Sequence, residues 1–412
     1  MEYSIHTFPN GIRVIHKQVK STKIAHCGII LNIGSRDEKP HQQGIAHFWE
    51  HMAFKGTTRR KAFHILNRLD SVGGEINAYT TKDKICFYAS ALEEHFDKSA
   101  ELVADISFHS VFPEKEIIKE RGVILEEMSM YLDDPADAIA DEFDEVVYKN
   151  HQLGKNILGD KESVMRFTQQ DFFDFIDENL STDEVVFSSV SSLPMSKVVK
   201  VAEKYFSKIP ANTFPRQRVP FTGYEPEFRQ QVKSISQAHC ILGGEAYSFH
   251  DDKRLPFFLL TNMLGGPGMN SRLSLQIREK YGYVYDIASS YTSFEDTGLH
   301  TIYFATEEKT LNRCINLVEK ELRKICDQPL GIRQLHTAKQ QLMGQIAMGE
   351  ESNLSMMLGM GKSLLNKDDL EPLEVLFNKI ESITAQQIMD VANETMTHDK
   401  LSTLIYFPKA AE

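Results

Sequence analysis

The stretch His47-Phe48-Trp49-Glu50-His51 combines residue types and spacing that could do chemistry. On a helix, residues four apart share a face, so the two imidazoles converge on one point. Neutral imidazole binds zinc well, and a catalytic zinc site keeps three protein ligands and one open position for water. Glu50 precedes the second histidine by one residue and so falls beside that open position. There its carboxylate can take a proton from a water activated by the metal. Histidine pairs on helices also occur as plain surface or core-edge residues, and these five residues alone leave that alternative open.

A third ligand has to come from elsewhere in the chain. The helical stretch from Pro113 to Tyr131 carries Glu116, Glu120, Glu126 and Glu127 among Ile117, Ile118, Val123, Ile124 and Leu125. Glu120 and Glu127 are two turns apart on one face and can point at the same site. Glu127 is the candidate ligand, and Glu120 the candidate carboxylate that orients an imidazole. Alternatively these glutamates are solvated and pair along the helix, as Glu116 would with Lys119.

These residues need a scaffold, and 412 residues are enough for two or three domains with full cores. The chain is 42% hydrophobic and 25% charged, as globular proteins are, and no apolar run is long enough to span a membrane. Residues Met1 to Asn10 lack the basic start and apolar stretch of a secretory signal, so a cytoplasmic location is expected. Cys27, Cys86, Cys240, Cys314 and Cys326 are scattered and form no C-x-x-C pair, which argues against a disulfide framework or a thiolate metal site. A net charge of −12 argues against nucleic acid as the main partner, because binding phosphates needs a positive field.

An internal repeat recurs at an offset of about 214 residues. Ala25-His26-Cys27 and its apolar run correspond to Ala238-His239-Cys240. The alternating stretch Ile85 to Leu92, then Glu93-Glu94 and a helix, corresponds to His300 to Thr306, then Glu307-Glu308 and a helix. The helix opened by Thr168-Gln-Gln, before a strand from Val185, corresponds to that opened by Thr384-Ala-Gln-Gln, before Leu401 to Phe407. Pro210, Pro215, Pro220, Gly223 and Pro226 mark a linker between the copies. The expected domains are residues 1–210, carrying the metal motif, and 232–412, with 211–231 as linker. Period-2 strands and period-3.6 helices alternate through each half. Strands are expected at Tyr3 to Thr7, Gly11 to Gln18, Ile24 to Ile33, Glu75 to Thr81 and Ile85 to Leu92. Helices are expected at Gly44 to Phe54, Arg60 to Val72, Glu93 to His109 and Pro113 to Tyr131. The fold class is therefore α+β: two homologous α/β sandwich domains, each a mostly antiparallel sheet covered by helices.

On these residues the chain resembles the pitrilysin/insulinase family of zinc peptidases, with their inverted H-x-x-E-H motif. The likeness points to the branch that includes mitochondrial processing peptidase and its bacterial relatives, and it spans nearly the whole chain. Gly44-Ile-Ala-His47 through Lys55-Gly56-Thr57 is similar to the family's metal-helix block, with Trp49 where an aliphatic residue is more usual. Glu120-Arg-Gly-Val-Ile-Leu-Glu-Glu127 is similar to its third-ligand block, with Glu127 lying 76 residues after His51. The resemblance implies one zinc per chain on His47, His51 and Glu127, Glu50 as general base and Glu120 in support. Gly73-Gly74-Glu75-Ile76-Asn77-Ala78-Tyr79-Thr80 is similar to the edge strand that pairs with substrate, which implies peptide contacts at Asn77, Ala78 and Tyr79. Leu264 to Leu273 and Ile277 to Tyr285 resemble the family's glycine-rich turn and Arg/Tyr pair, which implies that Arg278 and Tyr285 bind the scissile carbonyl. Tyr283 is an alternative to Tyr285.

The second copy has no histidine where the metal helix should recur, near Asn262 to Gly266. The resemblance further implies a metalloendopeptidase acting on unfolded peptides in a closed chamber. With both functional blocks on one chain, a homodimer is the implied assembly. The competing expectation is a non-catalytic scaffold or binding subunit of the same fold.

Overall fold

The computed structural model of the chain describes residues 3–367 and 370–409. The chain forms two compact units, residues 1–129, 155–218 and 348–372 making the first, and 130–154, 219–347 and 373–412 the second.

The first unit is built on a six-stranded sheet. Its strands are β1 (Ser4–Thr7), β2 (Arg13–Gln18), β3 (Ile24–Leu31), β4 (Glu75–Thr80), β5 (Ile85–Leu92) and β6 (Val185–Ser191), in the order β1-β2-β6-β3-β5-β4. Its helices include α1 (Ile45–Ala53), α2 (Ala62–Asp70), α3 (Phe96–Phe108), the start of α4 (Glu114–Asp133), and three more that follow α5 (Pro135–Val147): α6 (Lys161–Arg166), α7 (Gln169–Asn179) and α8 (Met195–Phe206). The β2–β6 pair is parallel and the other pairs are antiparallel.

Alternation along the strands decides what each face buries. Val14, Ile29, Phe87 and Phe187 enter one core with Trp49 of α1, Leu102 of α3, Phe172 of α7 and Phe206 of α8. The neighbours Ile15, Val186 and Val190 point the other way and pack on Met356, Met357, Met360 and Leu364.

The second unit holds β7 (Phe228–Lys233), β8 (Ala238–Ala246), α9 (Arg254–Gly265), β9 (Val284–Ser293), β10 (Gly298–Thr306), α10 (Glu308–Asp327), α11 (Ile332–Glu350, continuing past its boundary), α13 (Leu373–Ser382), α14 (Ala385–Thr395) and β11 (Ser402–Pro408). Between α11 and α13 the chain forms α12 (Asn353–Lys367), which belongs to the first unit and supplies the methionines just named. The second sheet has the order β7-β11-β8-β10-β9, again with one parallel pair, β7–β11. Strand for strand this repeats β2-β6-β3-β5-β4, so the internal duplication is present as architecture. The exchange of helices is also duplicated: α5, from early in the chain, packs Ile139, Phe143 and Val146 with Ile241, Leu404 and Tyr406 of the second sheet. Each sheet is thus covered on both faces, one by its own helices and one by a helix from the other half of the sequence.

Element bounds follow the sequence pattern closely. Ile85 to Leu92 is a strand over those residues, and the helix expected from Glu93 begins as a short 3-10 turn before α3. β7 starts at Phe228, inside the proline-rich stretch, because after Pro226 the chain resumes strand alternation. All five cysteines are free. Among the described residues no helix is long and apolar enough to cross a membrane.

Candidate metal centre

α1 is anchored before it presents any chemistry. Gly44 precedes it with φ of 92°, and a Cβ there would lie 2.4 Å from the Leu158 carbonyl oxygen, so both backbone and space demand glycine. The buried Glu38 carboxylate accepts from the Gly44 and Ala46 amides at 2.9 Å each, satisfying donors that a helix start leaves open. Burial pushes the Glu38 carboxyl well above its ordinary pKa, against the lowering effect of those hydrogen bonds. Phe48 meets Phe172 edge-on at 5.2 Å, and Trp49 packs against Phe87 and Phe175 at 6.2 and 6.4 Å. With Phe48, Trp49 and Met52 in the core, His47, Glu50 and His51 fall on the opposite side of the helix.

α4 supplies the partners. His47 Nε2 lies 3.7 Å and His51 Nε2 3.4 Å from the two oxygens of Glu127. One ligand atom from each of the three residues falls within 4.8 Å of the others. Ligands about 2.0–2.1 Å from a tetrahedral ion are about 3.3–3.4 Å apart, a spacing that the two His–Glu127 distances approach. The His47 and His51 rings are 4.6 Å apart at 63°. Burial, and then the neighbouring His51, lower the His47 pKa to about 3, so the imidazole stays neutral and its lone pair available.

Glu120 accepts from His51 Nδ1 at 3.0 Å and from Lys55 Nζ at 2.6 Å. Burial raises its pKa, but the hydrogen bonds from His51 and Lys55 outweigh that and keep Glu120 below the usual carboxylate value. As an anion it fixes the His51 tautomer with the proton on Nδ1 and the lone pair on Nε2, facing Glu127. Glu116, on another face of α4, pairs with Lys119 at 3.0 Å, the solvated arrangement considered for the whole set.

Glu50 accepts a 2.6 Å hydrogen bond from Thr80 Oγ1. Burial raises its pKa, opposed by Thr80 and His51 and assisted by Glu127. Thr80 ends β4, which lies at the edge of its sheet and pairs only with β5 among the described residues. Asn77, Ala78 and Tyr79 precede it on that edge, which has no second strand beside it among the described residues, although the Ala78 amide donates to Asn77 Oδ1 at 2.8 Å. Lys55 and Thr80 fall inside the stretches that resemble the family's metal-helix block and edge strand, but nothing there marks them as partners of Glu120 and Glu50, and nothing local marks Glu38.

Arg278 and Tyr285 belong to the second unit. Arg278 lies on a π-helical turn, Ser274–Glu279, a rare geometry enriched at functional sites. Its guanidinium carbon is 5.8 Å from the Tyr285 ring centre, and Tyr285 is 89% exposed. Tyr283 precedes β9, packs on the second core and stacks on Tyr281 at 5.3 Å. Of the two tyrosines, Tyr285 is the one that projects into solvent beside Arg278.

Residues 13–161 match the family described as Insulinase (Peptidase family M16), and residues 166–342 match Peptidase M16 inactive domain. The chain is 32% identical to the uncharacterized zinc protease YmxG of Bacillus subtilis, over 97% of both proteins. It is also 32% identical to an uncharacterized zinc protease of Rickettsia felis, over 98% of this chain and 97% of that one. A peptidase M16 inactive domain from Pseudomonas fluorescens has the same fold, with a TM-score of 0.92 at 18% identity and 100% of each chain covered. A protease from Helicobacter pylori has a TM-score of 0.89 at 21% identity, covering 99% of this chain and 100% of that one. Two family matches in tandem and full-length relatives at this identity place the chain in the M16, or pitrilysin/insulinase, family of zinc peptidases.

Proposed function

We propose that the chain is a zinc metalloendopeptidase that cleaves unfolded peptides, with one zinc per chain, in a chamber closed by a homodimer. The observation that carries this is the convergence of His47, His51 and Glu127 with Glu50 held alongside by Thr80. His47 and His51 would hold the ion through Nε2, and Glu127 through its carboxylate. When bound, zinc supplies Lewis acidity, which lowers the pKa of a water to about 7 and polarises a carbonyl.

The protein's own groups do the rest. Glu50 takes the proton that water loses as its oxygen attacks the peptide carbonyl carbon, then returns it to the departing amine. Thr80 occupies one Glu50 oxygen and leaves the other for that proton. Glu120 keeps the His51 ring in its tautomer. Asn77, Ala78 and Tyr79 hold an extended peptide through main-chain hydrogen bonds, which depend little on its sequence. Arg278 and Tyr285 donate to the oxygen on which negative charge develops. The homodimer is supported by one chain carrying both the metal residues and the Arg/Tyr pair.

Elemental analysis with an oligopeptide panel tests this. The expected result is one zinc per chain and peptide hydrolysis that a chelator abolishes and added zinc restores. A purified chain that binds no metal and cleaves no peptide would refute it in favour of a scaffold of the same fold.

A further inference from the structure

We infer that Lys362 is a specificity residue. With Tyr79 it forms a cationic subsite, on the α12 side of the edge strand, for an acidic side chain of the bound peptide. This rests on the proposed pairing of peptide with β4.

α12 is seated firmly on the first sheet. Met357 and Leu364 are buried against it, and a Cβ on Gly361 would lie 2.4 Å from Ile30 Cδ1, so the helix approaches as closely as a glycine permits. That seating carries Lys362 to the Tyr79 ring, with Nζ 4.8 Å from its centre. Asn77 pairs with Tyr88 and Tyr79 with Cys86, and directly opposed residues share a face, so these four lie on the side that α12 covers. Thr80 points to the other side, where it reaches Glu50.

A peptide strand added to β4 alternates in the same way. Every second side chain passes the metal helix, and the intervening ones pass Asn77, Tyr79 and Lys362.

Among the described residues Lys362 makes no direct contact with an acid and has no ion-pair partner, and its ammonium is steered by the tyrosine ring. Glu50 also acts on Cys86 and Tyr88 but is held by Thr80 on the other side of the strand. Glu75 shares this face but lies four residues up the strand from Tyr79, about 14 Å at about 3.4 Å per residue. That exceeds the Debye length of about 8 Å at physiological salt. The chain carries a net charge of −12, yet at this point on the strand a peptide meets a cation.

The test uses the zinc-loaded full chain and a peptide it cleaves, with Glu, Gln and Lys placed at each position in turn. In the wild type, one position should favour Glu over Gln in kcat/KM by about two- to five-fold, the strength of a solvated ion pair. That preference should fade as salt is added. Lys362→Glu should reverse the order at the same position in favour of Lys, a gain that misfolding cannot produce. Lys362→Met should bring Glu and Gln level. Ratios that the charge reversal leaves unaltered at every position overturn the subsite while the peptidase stands. If the wild type cleaves no peptide at all, the peptidase and its subsite fall together.

Discussion

Replacing Glu120 separates the duty of orienting a ligand from that of binding the ion. Glu120 is 5% exposed and accepts from both His51 Nδ1 and Lys55 Nζ. A hydrogen bond to a charged group contributes about 1.5–3 kcal/mol. At about 1.4 kcal/mol per tenfold in affinity, losing the His51 bond predicts zinc affinity about ten- to a hundred-fold weaker in Glu120→Ala. Glu120→Gln keeps an oxygen for His51 but turns an amide donor towards Lys55, so its loss should be smaller, about ten-fold at most. The assay is zinc competition against a chromophoric chelator at fixed pH, with melting temperature as a control for folding. If Glu120→Ala keeps wild-type zinc affinity to within two-fold, the carboxylate is not what holds His51 in its ligating tautomer.

Glu50→Gln should retain zinc and lose about 10²- to 10⁴-fold in kcat; comparable turnover in peptide assays removes Glu50 as the base. Thr80→Val deletes the 2.6 Å hydrogen bond to Glu50 and should lower kcat about ten-fold or more with zinc content unchanged. Full activity in that variant would show that Glu50 needs no such restraint. Arg278→Ala should also keep zinc while kcat/KM falls about 10²-fold, and unaltered kinetics would break its link to the scissile carbonyl. Gly44→Ala forces a side chain into positive φ and against the Leu158 carbonyl, costing about 2–5 kcal/mol. Calorimetry should then find the transition of the metal-bearing unit lowered by about 5–15 °C, and an unchanged transition would contradict the crowding at that turn.

The convergence of the candidate ligands was legible because their spacing is itself a geometric instruction. Four residues apart on one helix and seven apart on another each define a face, and the two faces meet in His47, His51, Glu120 and Glu127. The strand Ile85 to Leu92 was equally plain, since alternation records which side chains are buried. Thr80 and Glu38 were not legible. A threonine at a strand end and a glutamate in a loop carry no local mark, and their hydrogen bonds form only once β4 and α1 are side by side.

The sequence alone determined the elements, their duplication and which histidines and glutamates share a helix face, because periodicity and helical spacing are properties of the local chain. The destinations of α5 and α12 were decided only by the tertiary structure. An apolar stripe such as Met356, Met357, Met360 and Leu364 declares that it must be buried but not against which sheet, since hydrophobic burial is non-directional. Either sheet offers a bare apolar face, and only the folded chain shows each helix on the sheet of the opposite half. That crossing is also what brings Lys362 to Tyr79, across a sequence separation that no local pattern spans.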